Sequence, residues 1–238
     1  MSTTFEQRTE RSLLEVESSG AAVETVGGLA VIVLSILGLA RLAPEFLAAI
    51  AGIVVGVSIF AQGTAVAAEY HNLFSRLTGG ALEAVELGAG MSVEVMAGAG
   101  AIVLGIIALV HIAPEILLPA LVIAVGATLV LSAGTVQRLN GLKMAAAETP
   151  ALAQQVMRTA TGGAAAGQVL AGIAAAVLGI IALASLPTAG SSAAAGGAWL
   201  TLTLVGLLVL GSSILMSGGS LLTRFVQMFG REGQRAGS

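Results

Sequence analysis

The stretch EVMAGAGAIVLGIIALVHIAPE, residues 94–115, decides the fold. It runs from a glutamate through about eighteen nearly uncharged positions to a Pro-Glu pair. A helix rises about 1.5 Å per residue, so roughly 20 apolar residues cross a hydrocarbon core of about 30 Å. We therefore predict that this stretch is a membrane-spanning helix.

The same pattern occurs twice more in the chain. TVGGLAVIVLSILGLARLAPE covers residues 25–45, and QVLAGIAAAVLGIIALASLP covers residues 168–187. The segment VLGIIAL at 103–109 is repeated unchanged at 177–183. We interpret the chain as one unit that is copied three times.

The composition favours a lipid environment. Of the 238 residues, 56% are hydrophobic and 10% are charged, and the mean hydropathy is +0.98. A soluble domain of this size cannot bury so much apolar surface behind so few charges, so we expect membrane lipid as a partner. The net charge of −3 argues against nucleic acid. The chain has no cysteine, which excludes disulfides, thiolate metal sites and thiol nucleophiles.

Each unit has the pattern of a helical hairpin. An outward helix leads to a tight turn with a proline, at Pro44, Pro114 and Pro187, and we expect each proline to begin the return helix. Proline suits the first helical position because its missing N–H would be unsatisfied there anyway. The return helices are predicted over residues 44–68, 114–137 and 197–223. The predicted fold is all-α, a polytopic membrane protein with six transmembrane helices in three tandem, parallel hairpin repeats.

These elements divide the chain into seven segments. We predict a cytoplasmic amphipathic N-terminal segment at 1–24, hairpin repeats at 25–68, 94–137 and 168–223, cytoplasmic connections at 69–93 and 138–167, and a cytoplasmic C-terminal tail at 224–238. In the first connection Thr78-Gly79-Gly80 indicates a turn between two helical extensions. In the second, Pro150 is expected to open a short helix that Gly162 and Gly163 interrupt.

The basic residues orient the hairpins. Nine of the ten fall on the side of the chain termini, and only Arg41 falls at the opposite turns. By the positive-inside rule both termini are cytoplasmic, and we place the protein in a bacterial inner (cytoplasmic) membrane. A compact bundle around a pseudo-threefold axis and three hairpins laid side by side both satisfy the repeat.

Small residues recur four apart on several predicted helices, where they let helix backbones approach closely in lipid. The predicted helix-packing residues are Gly52, Gly56, Ala97, Ala101, Gly105, Ala171, Ala175 and Gly179. The sequence leaves open whether these faces pack within one bundle or join neighbouring subunits.

Polar residues recur at equivalent positions of the three units and form a candidate polar belt. Its members are Glu24, Glu94 and Gln168 on the outward helices, and Ser58, Thr128, Ser213, Gln62, Ser132 and Ser217 on the return helices. Glu24 and Gln62 lie about 30 Å and about 27 Å from the outer boundary, so the belt is near the cytoplasmic edge. It would bind a cation or relay protons. Alternatively, the glutamates end the spans in the headgroup region and the hydroxyls bond to backbone carbonyls.

The histidines do not indicate a metal site. His71 and His111 fall on opposite sides of the membrane and cannot share one metal within a subunit. His111 and Glu115 take the places of Arg41 and Glu45 in the first unit, which favours a turn-level ion pair or a solvated rim. We expect no catalytic, cofactor-binding or metal-binding residues and no cofactor.

We therefore expect a non-enzymatic integral membrane protein. In the favoured hypothesis it is a structural or accessory subunit that assembles through small-residue helix faces into a homo-oligomer or a larger membrane complex. The alternative is a small channel or transporter that uses the polar belt near the cytoplasmic interface.

Overall fold

A computed structural model describes the backbone of residues 22–78, 84–146, 151–186 and 197–235, and the side chains of 22–64, 93–132, 166–186 and 197–218. The described residues form helices and turns and contain no strand. The six helices are α1 (Ala22–Leu39), α2 (Pro44–Thr78), α3 (Ala84–Leu109), α4 (Pro114–Ala146), α5 (Ala151–Ala184) and α6 (Ala198–Arg235). The prediction of an all-helical protein is confirmed.

Five of these helices are long and apolar enough to span a membrane. The spanning segments are Ala22–Leu39, Pro44–Thr64, Pro114–Ser132, Ala166–Ala184 and Ala198–Gly218. The apolar part of α3, Val93–Leu109, is shorter. Most of the predicted N-terminal segment and the third turn at 187–196 lie outside the described residues.

The helices continue beyond the predicted ends. Return helices α2, α4 and α6 reach Thr78, Ala146 and Arg235, so much of the predicted connections and tail is helical. The expectation that Gly162 and Gly163 interrupt a helix is wrong, because α5 is continuous from Ala151 to Ala184. An internal glycine costs a helix only about 1 kcal/mol and, unlike proline, keeps its N–H, so two glycines do not end a long helix.

The turn between α1 and α2 is a Schellman motif. The Arg41 N–H donates to the Gly38 carbonyl at 2.9 Å, and the Leu42 N–H donates to the Leu37 carbonyl at 3.2 Å. These are the 5→2 and 6→1 bonds that satisfy the last carbonyls of a helix. Arg41 itself has φ of 64°, a left-handed conformation that glycine usually supplies.

The turn between α3 and α4 has the same geometry 70 positions later. Its bonds run from His111 to Ala108 at 3.0 Å and from Ile112 to Ile107 at 3.3 Å. His111 has φ of 62°, and Ala43 and Ala113 both have φ of 44°. The two turns therefore place the return helices α2 and α4 in the same way.

The outward helices α1, α3 and α5 and the return helices α2, α4 and α6 pack in a regular pattern. Helix α2 packs extensively on α3, and α4 on α5, so a return helix lies against the outward helix that follows it. The last return helix, α6, lies against the first outward helix, because Gly28 of α1 contacts the α6 backbone at Leu215 and Gly211. The three return helices also contact one another.

A pair of glycines lies at each of these three helix–helix contacts, which we call seams: α1 with α6, α2 with α3, and α4 with α5. A Cβ at Gly28 would be 2.8 Å from the Gly211 oxygen, and one at Gly98 would be 2.8 Å from the Gly56 oxygen. At the third seam, a Cβ at Gly172 would be 2.6 Å from the Gly126 oxygen. Only glycine permits such close backbone approach, and close packing stabilises helix pairs where lipid supplies no hydrophobic drive.

The return helices provide most of the core. Half of the spanning residues of α2 and of α4 and 44% of those of α6 are buried, compared with 33% for α1 and 22% for α5. Equivalent positions of the return helices form buried aliphatic layers. One layer is Val55, Val125 and Leu210, and the next is Ile59, Leu129 and Ile214, all at most 4% exposed.

Candidate functional site

The two glutamates of the polar belt are buried side chains. Glu24 near the start of α1 is 8% exposed, and Glu94 of α3 is 4% exposed. An ionised carboxylate is rarely buried to this extent without a partner, because removing it from water is costly. These two residues are therefore the most unusual feature of the belt.

Glycines on neighbouring return helices make room for both glutamates. The Cβ of Glu24 lies 2.9 Å from the position of a Cβ at Gly218, and the Cβ of Glu94 lies 3.0 Å from that at Gly63. These glycines are each seven residues after a seam glycine, Gly211 or Gly56. The helix packing that forms the seams thus also positions the carboxylates.

The two glutamates influence each other electrostatically. Glu24 and Glu94 are close enough for their charges to interact. Glu94 is also within side-chain hydrogen-bonding range of Ser132 on α4, a residue that is 4% exposed. The structure therefore brings together three of the predicted belt residues from α1, α3 and α4.

The deeper hydroxyls of the belt are used within their own helices. Ser58 donates to the Val54 carbonyl at 2.9 Å, and Thr128 donates to the Ala124 carbonyl at 2.8 Å. Such bonds to the preceding turn satisfy a hydroxyl without any ligand. The Ser132 hydroxyl donates to the Leu129 carbonyl at 3.3 Å, and it also lies within hydrogen-bonding range of Glu94.

The remaining belt residues line the same end of the bundle less deeply. All four are half-buried: Gln62, Gln168, Ser213 and Ser217. In the third unit Gln168 takes the place of the glutamates, and Ala133 takes the place of the glycines that accommodate them. The belt is therefore asymmetric, with two acidic positions and one amide.

Apolar residues close the bundle next to the belt. Ile59, Leu129 and Ile214 lie three residues before Gln62, Ser132 and Ser217 on the return helices, about one helical turn away. Because these aliphatic side chains are buried in the common core, the polar region ends there. The belt residues from Gln62, Ser132 and Ser217 onward are therefore at one end of the bundle.

Few charged groups occur in the described side chains. Glu24 and Glu94 are at the belt end, and the four others are at the α1–α2 and α3–α4 turns: Arg41, Glu45, His111 and Glu115. Within the described residues no group of three or more His, Asp or Glu side chains is placed to hold a metal ion. The side chain of His71 lies outside the described part of the chain.

Sequence reasoning missed several buried polar or aromatic residues. Ser35 is fully buried on α1, and its hydroxyl has no hydrogen-bond partner. It takes the place of Gly105 and Gly179, so alignment of the repeats would have found it. Thr203 is also fully buried and donates to the carbonyl of Trp199, the single tryptophan, at 2.7 Å.

The predicted helix-packing residues make their contacts inside the bundle. A Cβ at Gly52 would lie 2.8 Å from Leu121, and one at Gly105 or Gly179 would lie 2.6 Å from an isoleucine of the adjacent return helix. Ala101 and Ala175 are buried, and Ala97 and Ala171 are half-buried. These faces therefore help to build the bundle itself.

Comparison of the chain with models of protein families, with curated proteins and with solved structures finds no match. Function is therefore inferred from the chain's own residues.

Proposed function

We propose that the chain is a non-enzymatic integral membrane protein with six spans, in which three tandem hairpin repeats close into one bundle. Five helices have the length and apolarity of membrane spans. Helix α3 supports a sixth, because it is 26 residues long and packs between the spanning helices α2 and α4. At about 1.5 Å per residue, a helix of this length extends beyond the hydrocarbon core.

Its proposed role is that of a structural or accessory subunit. The bundle axis is filled by aliphatic layers such as Val55, Val125 and Leu210, each fully buried. A conduit for ions or polar solutes needs a hydrated or polar path, and these layers interrupt one. The closed axis thus favours the structural role over the channel alternative.

Assembly with further copies is proposed to use α5. Of the five spanning segments, that of α5 is the least buried, at 22%. Its exposed residues include the small Gly167 and Ala174, beside larger ones such as Leu170 and Ile173. On α1, Val33 is an exposed branched residue. Small residues on a lipid-facing helix permit close approach of a second helix. The exposed small residues of α5 are the observation that carries this proposal.

The protein is also proposed to lie in a bacterial inner membrane with both termini in the cytoplasm. The support is the distribution of basic residues, nine of ten on the side of the termini.

Native mass spectrometry after gentle extraction tests the assembly. We expect a homo-oligomer, and we expect Ala174→Leu and Gly167→Leu to shift it strongly towards monomer, because the larger side chains separate the helices. Val33→Leu on the exposed surface of α1 is the matched control and should leave the oligomer intact. A monomeric wild-type protein without a co-purifying subunit would refute the proposed role, and an oligomer unaffected by the α5 variants would refute the proposed surface.

A further inference from the structure

Ser35 carries the one fully buried polar side-chain atom that lacks a hydrogen-bond partner in the described part of the chain. The other buried hydroxyl residues of that part each donate to a carbonyl of their own helix: Ser58, Thr128, Ser132 and Thr203. A buried hydroxyl without a bond destabilises the state in which it is buried, because it has given up other partners and gained none.

Ser35 lies on the face of α1 that packs against α6. It is seven residues after Gly28, and a Cβ at Gly28 would be 2.6 Å from the backbone nitrogen of Leu215 on α6. It is three residues before Gly38, and a Cβ at Gly38 would be 2.7 Å from the Leu204 side chain of α6. Residues three and seven apart share one face of a helix. The unbonded hydroxyl is therefore at the α1–α6 seam.

The equivalent positions of the other two seams are glycines. Gly105 and Gly179 take the place of Ser35 in the second and third units. A Cβ at either position would lie within 3.2 Å of backbone atoms of the adjacent return helix. Only the α1–α6 seam has a polar side chain at this position, so the cost of an unbonded hydroxyl falls on this seam.

The chain connectivity also restrains the α1–α6 seam least. Helices α2 and α3 are joined directly through residues 79–83, and α4 and α5 through residues 147–150. Helices α1 and α6 are linked only through the four helices between them. Separation of α1 from α6 therefore stretches no short connection.

We propose that the bundle opens at the α1–α6 seam and that Ser35 biases it towards the open state. Once α1 leaves α6, the Ser35 side chain can turn to the carbonyl of Val31, four residues earlier, as Ser58 bonds to the Val54 carbonyl. A bond that forms in only one of two states shifts the population towards that state. The opening rests on the closed bundle proposed above and does not involve assembly through α5.

Pulsed electron paramagnetic resonance on the full chain in lipid nanodiscs measures the opening. Spin labels are attached to Val33→Cys on α1 with Ser212→Cys on α6, because the chain has no other cysteine. Val103→Cys with Val57→Cys occupies the equivalent positions of the α2–α3 seam and is the matched control. We expect a short distance for both pairs, and for the first pair also a longer one in roughly 5–10% of the molecules, the upper range of a minor state.

Two substitutions of Ser35 separate the effect of the hydroxyl from that of side-chain volume. Ser35→Ala removes only the hydroxyl, and Ser35→Gly also removes the Cβ, as in the other seams. Both should lower the open fraction by roughly tenfold, equivalent to about 1.4 kcal/mol, because the closed state then has no unsatisfied donor. Thr128→Val removes a buried hydroxyl that is already bonded to the Ala124 carbonyl, and it should leave the α1–α6 distances unchanged.

Three results would overturn the opening. The first is a single short distance between the labels on α1 and α6. The second is a longer distance of equal weight in the α2–α3 control pair, which would show general loosening of the bundle. The third is an open fraction that neither Ser35 variant lowers. A single long distance between α1 and α6 would overturn the closed bundle as well, so the two failures are distinguishable.

Discussion

Single residues at the α1–α2 and α3–α4 turns have backbone strain that a glycine would relieve. Arg41 adopts φ of 64° at the position after α1 where glycine is usual. A left-handed conformation costs a non-glycine residue about 1–2 kcal/mol. We predict that Arg41→Gly is more stable to unfolding by about 1 kcal/mol than Arg41→Ala, because both lose the charge but only glycine loses the Cβ. Equilibrium unfolding in mixed micelles measures the difference, and equal stability of the two variants would contradict the turn geometry.

At this scale the belt stays a prediction from the sequence, and the sequence does not give the partners of its side chains. The repeat register places Glu24 and Glu94 at the same depth, since depth follows from counting residues along a helix. It does not give the direction of a side chain around the helix axis. The contact between Glu94 and Ser132 depends on how α3 lies against α4, which only the packed structure provides.

At the scale of the elements, the packing of the helices against one another depends on the glycine pairs at the seams. A Cβ at Gly98 would lie 2.5 Å from the backbone nitrogen of Phe60, which cannot move without shifting α2. We predict that Gly98→Ala destabilises the protein by about 1–3 kcal/mol, in the range of overpacked cores. Thermal or denaturant unfolding gives the value.

Gly100 provides the matched control on the same helix. Nothing lies within 4 Å of a Cβ at that position. Gly100→Ala should therefore be neutral or stabilising, because alanine is the better helix former by about 1 kcal/mol. Similar losses of stability in both variants would show that alanine destabilises helix α3 itself, and they would contradict close backbone packing at the seam.

The sequence predicted where helices begin better than it predicted which helices pack against each other. Prolines 44 and 114 begin α2 and α4 as expected, because proline favours the first helical position and the turn pattern repeats. Which faces would pack together was not predictable, since these helices are apolar on all sides and lack a clear polar face. The small-residue spacing indicated close approach, but the assignment of Gly98 to Gly56 required the structure.

At the scale of the whole molecule, the sequence did not decide between a closed bundle and a row of hairpins. The packing of α6 on α1 favours closure. The contact at Gly28 and Gly211 repeats those at Gly98 with Gly56 and at Gly172 with Gly126, so the first and last helices meet as the internal pairs do. In a row of hairpins α1 and α6 would be at opposite ends. The closed arrangement also brings Glu24 of α1 beside Gly218 of α6.

Disulfide cross-linking between α1 and α6 tests closure most directly, and the chain has no native cysteine to interfere. The Cβ of Val31 lies 3.0 Å from the position of a Cβ at Gly211. This is about half an ångström shorter than the lower end of the Cβ–Cβ distances found in disulfides. We predict that Val31→Cys with Gly211→Cys forms an intramolecular disulfide in membranes under mild oxidation. Val31→Cys with Gly56→Cys, the equivalent glycine that packs on α3, should not. Absence of the first cross-link, or equal formation of both, would contradict the closed bundle.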